Sequence, residues 1–228
     1  MPGFIDTLPG PIDTPISPIT SWYGRVGRFR GIPLKMTHPA MGEPALITET
    51  GRLALREFRL SDLDDLAPIM ADPRVMEFSI SGPWDSNRTK EFLEVCQIDY
   101  SEERWGYGRW AVIHRDDERL IGFCGLGRYD EVDGSPEIEI GYRLMPEYWG
   151  RGLATEAAIA SRDYGFEHLG MTRLISMIEP ENRASIRVAE KVGMTCEKEI
   201  RKWDLQILVY AISRQASPEL QPCRNMPS

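Results

Sequence analysis

Between Arg109 and Leu144 one pattern occurs three times. The runs "RWAVIHR" (109–115), "RLIGFCGLGRY" (119–129) and "EIEIGYRL" (137–144) are apolar and strand-like, and only "DDE" and "DEVDGSP" separate them. Links that short join antiparallel neighbours, because a parallel crossover needs a dozen residues or more. The next segment breaks the pattern. "YWGRGLATEA" (148–157) opens a predicted helix over 153–168, with Leu153, Ala157, Ala160, Tyr164 and His168 compatible with one face. "RLISMIE" follows as a buried strand. Strand, helix and strand in that succession read as a parallel βαβ unit. A chain that runs antiparallel and then parallel in one stretch is confined to a mixed sheet with helices packed on it.

The flanking segments extend this sheet. "RLALREF" alternates Leu53 and Leu55 with polar neighbours, a half-buried strand. "SDLDDLAPIM" predicts a helix with Ser61 as N-cap and Asp64 at N3. "NRTKEFLEVCQIDY" predicts a second, with Phe92, Leu93, Cys96 and Tyr100 on one face. "NRASIRVAEKVG" predicts a helix stopped by Gly193, and "TCEKEIRKW" and "LQILVYAIS" close the chain as strands. The expected order is β-α-α-β-β-β-α-β-α-β-β, a single α/β (α+β) domain over 45–214.

Residues 1–44 differ: they hold eight of the seventeen prolines and show no sustained periodicity. They predict an extended proline-rich arm, and 215–228 a C-terminal tail. Trp22, Tyr23 and Phe29 suit the arm for docking on its own domain or on a second subunit, which makes a homodimer an expectation. A net charge of −8 argues against a nucleic-acid partner, and no apolar run is long enough to span a membrane. No secretory signal is legible and the four cysteines have no metal-site spacing, so the expectation is a cytoplasmic protein without a metal. Cys96, Cys124 and Cys196 are expected to be buried thiols, with Cys223 in the tail.

Gly150 and Gly152 pose the functional question. A helix N-terminus leaves four N–H groups without intrahelical partners and is partly positive. Bare backbone there admits a phosphate or pyrophosphate, with Arg151 adding charge. The alternative is that the glycines only relieve positive φ in a tight turn. There is no G-x-x-x-x-G-K-[ST], and Thr155 stands where a dinucleotide fingerprint would place its third glycine.

The surrounding residues resemble a known family. Trp149-Gly150-Arg151-Gly152-Leu153-Ala154 resembles motif A of the GNAT superfamily of N-acetyltransferases, Q/R-x-x-G-x-G/A, with Trp149 in place of glutamine or arginine. "EIGYRLMPEYWGRGLATEA" and "ENRASIRVAEKVGM" look like the RimJ/RimL branch, and "GRLALREFRLSDLDDL" resembles its opening strand and helix. The likeness spans about 45–214.

It implies a GNAT fold, a mixed, mostly antiparallel sheet splayed at its centre, with acetyl-CoA as donor. It places the pantetheine arm against main-chain groups near Tyr142, Arg143 and Leu144. The pyrophosphate would lie on the loop from Gly150 through Thr155, with Asn182 facing the cofactor.

Acetyl transfer to an amine needs a neutral amine, a stabilised oxyanion and help for the leaving thiolate. For the oxyanion, a backbone N–H near Leu144 is the candidate. For the base, Glu139 stands out, since Ile138, Ile140 and Tyr142 alternate with Glu137, Glu139 and Gly141. Glu139 would otherwise be solvated or neutralise an arginine. Asp204 is a second candidate, by resemblance to carboxylates that RimL-like enzymes carry in the strand after the N-x-x-S helix.

The tyrosine that many GNAT enzymes place seven residues after the motif asparagine is Ala189 here. Ser185, on the same helix face, is the candidate to relay a proton or donate a hydrogen bond in its stead. His38, His114 and His168 form no triad or metal set. Trp84, Trp105 and Trp110 either wall the acceptor pocket or pack the core. The function this supports is acetyl transfer from acetyl-CoA to a primary amine, on a protein N-terminus or a small molecule. The alternatives are a non-catalytic acyl-CoA binder and a nucleotide-binding module.

Overall fold

The computed structural model describes residues 44–101 and 104–214. The predicted tail, and all of the predicted arm except Pro44, lie outside the described residues. Eight strands form one sheet: β1 (Leu46–Glu49), β2 (Leu53–Arg56), β3 (Arg109–His114), β4 (Arg119–Val132), β5 (Ser135–Leu144), β6 (Arg173–Ile178), β7 (Thr195–Lys202) and β8 (Leu205–Ser213). Four α-helices accompany them: α1 (Leu63–Ala71), α2 (Ser86–Asp99), α3 (Leu153–Glu167) and α4 (Arg183–Val192). The strand order is β1-β2-β3-β4-β5-β6-β8-β7.

Every neighbouring pair is antiparallel except β5–β6, which is parallel and meets at a single register pair, Glu139↔Ile175. The meander and the βαβ unit are both present, and the sheet splays where they join. Adjacent residues of β4 show how it is covered. The Phe123 ring packs on Phe92 of α2 at 5.3 Å, whereas Cys124 Sγ lies 3.3 Å from Ser161 Oγ of α3. Successive side chains point to opposite faces, so α2 and α3 lie on opposite sides of the sheet. The buried core runs continuously from Leu53 and Trp110 through Leu126 and Ile140 to Leu174.

Three expectations are corrected. β1 has no counterpart in the predicted order; it is a four-residue edge strand paired through a register shift to β2. Ser61 does not cap α1: it lies inside a 3₁₀ turn, Leu60–Asp62, where the Asp62 carboxylate accepts from the Arg59 N–H at 2.7 Å and pairs with Arg56. Cys196 is exposed on edge strand β7, while Cys96 and Cys124 are buried. At α2 it is Asp85 that caps, accepting from the Arg88 N–H at 2.8 Å.

Candidate active site

The glycine loop is built by backbone conformation. A 3₁₀ turn, Pro146–Tyr148, leaves β5, and Gly150 and Gly152 then take φ of 72° and 78°, with Gly152 capping α3. Glycine is therefore needed for the turn itself. The anion reading stands beside it, because a Cβ on Gly150 would meet no protein atom within 4 Å. The first intrahelical bond is Glu156 N–H to Gly152 O at 3.1 Å, so the N–H groups of Leu153, Ala154 and Thr155 have no intrahelical partner.

A clamp that sequence reasoning missed fixes this loop. Arg52 donates to the Arg151 carbonyl at 2.8 Å and to Glu156 at 2.7 Å, and Thr50 Oγ1 donates to Glu156 at 2.5 Å. Burial alone would raise the Glu156 carboxyl, but the bonds from Thr50 and Arg52 hold it below the ordinary value. On the other flank, the Tyr148 hydroxyl donates to Asp117 at 2.6 Å, and the Arg151 guanidinium lies over the Tyr148 ring at 5.2 Å. His114 is buried against the same pair, 2.9 Å from Asp117.

Trp149, the departure from motif A, has a structural task. Its indole N–H donates to the Leu144 carbonyl at 2.6 Å, tying the loop to the end of β5. The main-chain polarity of β5 follows from two bonds. Met145 N–H donates to Ile121 O of β4, and Ser176 Oγ of β6 donates to Ile140 O. Strand residues turn their N–H and C=O to alternate edges. Arg143 therefore faces β4, whereas Ile140, Tyr142 and Leu144 face the gap toward β6. The expectation that main-chain groups of all three residues 142–144 would hold a pantetheine arm is thereby narrowed. Arg143 meets the gap through its side chain.

A cavity of about 140 Å³, partly open to solvent, occupies the splay between the strands. On the α3–α4 side it is lined by Tyr142, Asn182, Ser185 and Ala189; on the other by Arg109, Phe123, Glu139 and Arg143. Asn182 caps α4, its side chain accepting from the Ser185 N–H at 3.0 Å. The Tyr142 hydroxyl is buried without a hydrogen-bond partner of good geometry. Burial pushes its pKa up, and the nearby Ser185 hydroxyl offsets this in part. A buried donor left unpaired costs about 1–3 kcal/mol, so its place in a cavity asks for a ligand.

Glu139 neutralises an arginine. Its Oε2 lies 3.0 Å from Arg109 Nη2, and its Oε1 accepts from the Met177 N–H of β6 at 3.3 Å. The carboxylate thus bridges the two strands where they part. Glu137 pairs with Arg173 at 3.1 Å. Arg143 has one long bond, to Val75 O at 3.3 Å; burial first, then the charge of Arg109, lowers its pKa to about 10, leaving it cationic at neutral pH.

Asp204 is not brought to the cavity. It sits in the β7–β8 turn rather than on a strand, with its side chain fully exposed. Trp110 and Trp84 are core residues and Trp105 lies between Arg104 and Arg128, so none of the three lines the cavity. Trp203 and Glu179 do, and sequence reasoning had named neither. Glu179 has no ion pair among the described residues; burial, then the charge of Glu181, raises its pKa.

A sheet split where β5 and β6 part, a gap lined by ionisable groups and a following helix with free N–H groups at its start are an arrangement suited to acyl transfer. Residues 52–195 match the acetyltransferase (GNAT) domain family, and the chain belongs to that family. It is 36% identical over 162 residues to the uncharacterised protein YkkB of Bacillus subtilis, covering 71% of this chain and 92% of YkkB. It is 29% identical over 152 residues to spermidine N(1)-acetyltransferase of Escherichia coli, covering 64% of this chain and 74% of that enzyme. The acetyltransferase structure from Agrobacterium tumefaciens is similar with a TM-score of 0.63 and 29% identity, covering 84% of this chain and all of that one. Among the described residues no cluster could hold a metal ion, and no helix is long and apolar enough to cross a membrane.

Proposed function

We propose that this protein moves the acetyl group of acetyl-CoA directly to a primary amine, in the manner of the RimJ/RimL branch that its motifs resemble. The observation that carries the reading is the cavity in the split sheet. It opens the gap-facing main chain of Tyr142 to a ligand and reaches α3 at Ala158. Acetyl-CoA supplies an acyl thioester, and the chain supplies the rest.

The N–H groups of Leu153, Ala154 and Thr155, with Gly150 to Gly152 leaving room and Arg151 at the rim, suit a pyrophosphate. The Tyr142 N–H and C=O suit an extended arm laid along β5 like a strand. We assign the Leu144 N–H to the developing negative charge, a reading supported by the Trp149 indole bond to the Leu144 carbonyl, which fixes the backbone there. The hydroxyls of Ser185 and Tyr142 meet where a leaving thiolate would need donors. Burial keeps Tyr142 protonated, so it acts as a hydrogen-bond donor.

The amine must lose a proton, with ordinary pKa values of about 10.4 for a lysine-type and about 8 for an α-amine. Glu139 and Glu179 are the cavity's two carboxylates. Glu139 must give up Arg109 or Met177 to accept a proton, whereas Glu179 is unencumbered and its raised pKa suits a general base. We therefore assign positioning to Glu139 and proton acceptance to Glu179. The test is thiol release from acetyl-CoA across an amine panel, with wild type, Glu139→Gln and Glu179→Gln. Loss of turnover in Glu179→Gln, with Glu139→Gln retaining most of it, is expected. The reverse ranking overturns the assignment, and acetyl-CoA binding without any acetylated amine overturns the reading.

A further inference from the structure

The outer wall of the cavity carries a backbone anomaly. Lys202 pairs with Leu205, so β7 and β8 are joined by two residues, Trp203 and Asp204, and both have positive φ, 53° and 61°. Such turns favour asparagine and glycine. A bulky side chain at positive φ is an outlier, and strain of this kind persists where the surroundings impose it, often at ligand sites. Here the strained residue lines the cavity. Its ring is held by Tyr129, 6.1 Å away between centroids, and by the Lys202 ammonium at 5.1 Å, itself bonded to the Glu131 carbonyl at 2.9 Å. Phe78, Ile80 and Met177 line the same cavity, and Ile80 is 44% exposed. The sequence thus accepts an unfavourable turn residue and an exposed aliphatic one, and both border one space.

Charge gives a second, independent indication. Four side chains of the cavity lining carry formal charge: Arg109, Arg143, Glu139 and Glu179. Arg109 and Glu139 neutralise each other. Within the lining that leaves Glu179 for one ammonium, with exposed Glu181 acting on it from outside the lining, and Arg143 opposes a second ammonium. A polyamine would bring more positive charge than the cavity can balance.

We propose that the acceptor is a monoamine with an aromatic or apolar body, selected by stacking of that body on Trp203. This rests on the acetyl-transfer reading above. The experiment uses the full chain, saturating acetyl-CoA, and phenethylamine, tryptamine, spermidine and a peptide with a free N-terminus as acceptors. The two aromatic monoamines should show kcat/KM at least about tenfold above spermidine and the peptide.

Trp203→Asn keeps a residue that tolerates positive φ and removes the ring. It should raise the aromatic-amine KM about tenfold, the upper range for one aromatic contact, and leave the acetyl-CoA KM unchanged. Trp203→Phe should restore it to within about threefold. A preference for spermidine or the peptide overturns the proposal while leaving acetyl transfer intact. So does a Trp203→Asn variant that melts lower with an unchanged amine KM, which would make the ring structural. Acetyl-CoA binding with no amine acetylated overturns both readings.

Discussion

Replacing Arg109 by methionine tests the clasp that holds the split sheet in register. The guanidinium lies over two glycines: a Cβ at Gly127 or Gly141 would come within 2.4 Å of its nitrogens. The side chains of Arg109 and Glu139 are only 4% and 11% exposed, so solvent screens their attraction weakly. Removing one member of a buried pair strands the other charge and costs about 3–5 kcal/mol. At about 2–4 °C per kcal/mol for a domain of this size, Arg109→Met should melt about 6–20 °C below wild type. The double variant Arg109→Met, Glu139→Met should recover most of that loss, because two apolar groups leave no buried charge. Scanning calorimetry of wild type, both single variants and the double variant gives the coupling. A single variant within about 2 °C of wild type, or losses that simply add, would refute the reasoning.

Three further outcomes follow from the site. Gly152→Val forces a β-branched residue to φ 78° at the helix start, and calorimetry should show CoA affinity falling at least about tenfold in folded protein; unchanged affinity removes the anion site. Ser185→Ala and Tyr142→Phe should each lower kcat more than they raise the acetyl-CoA KM. Tyr142→Phe, which deletes a buried hydroxyl that lacks a hydrogen bond of good geometry, should melt no lower than wild type; equal kcat in either variant rejects its role. The Glu156 carboxyl is held below the ordinary 4.5, so its clamp contributes fully above that pH and is lost as pH falls through the lowered folded value. Glu156→Gln should therefore flatten the acid side of the stability profile, and an unchanged acid limb would remove the clamp from the account.

What the sequence disclosed and what it hid divide along a physical line. The meander and the crossover helix were legible because each rests on a local quantity, a link too short to cross over or an apolar period, whereas the splay was expected only from the family resemblance. Gly193 was legible as the end of α4 because capping chemistry acts within a few residues. β1 was hidden because four residues at a sheet edge carry too little periodicity. Ser61 misled because Asp62 can do more than a hydroxyl, taking the Arg59 N–H and the Arg56 guanidinium together. Arg52 was invisible as a loop clamp because Glu156 lies 104 residues away.

The carboxylates of the site show the same division more sharply. Alternation along β5 placed Glu137 and Glu139 on one face, and the structure agrees, but alternation cannot say what stands across that face. Arg109 reaches Glu139 from a strand two places away, and Arg173 reaches Glu137 from across the parallel joint. Asp204 was a second candidate base by resemblance to a strand carboxylate of RimL-like enzymes, yet a two-residue turn points it to solvent and its neighbour Trp203 lines the cavity. Both arginines neutralise the carboxylates that sequence spacing brings forward. Glu179, one residue beyond β6 where the strands have already parted, keeps its charge available. On the proposed reading, proton chemistry at this site is set by which carboxylates the sheet's own pairing leaves unneutralised.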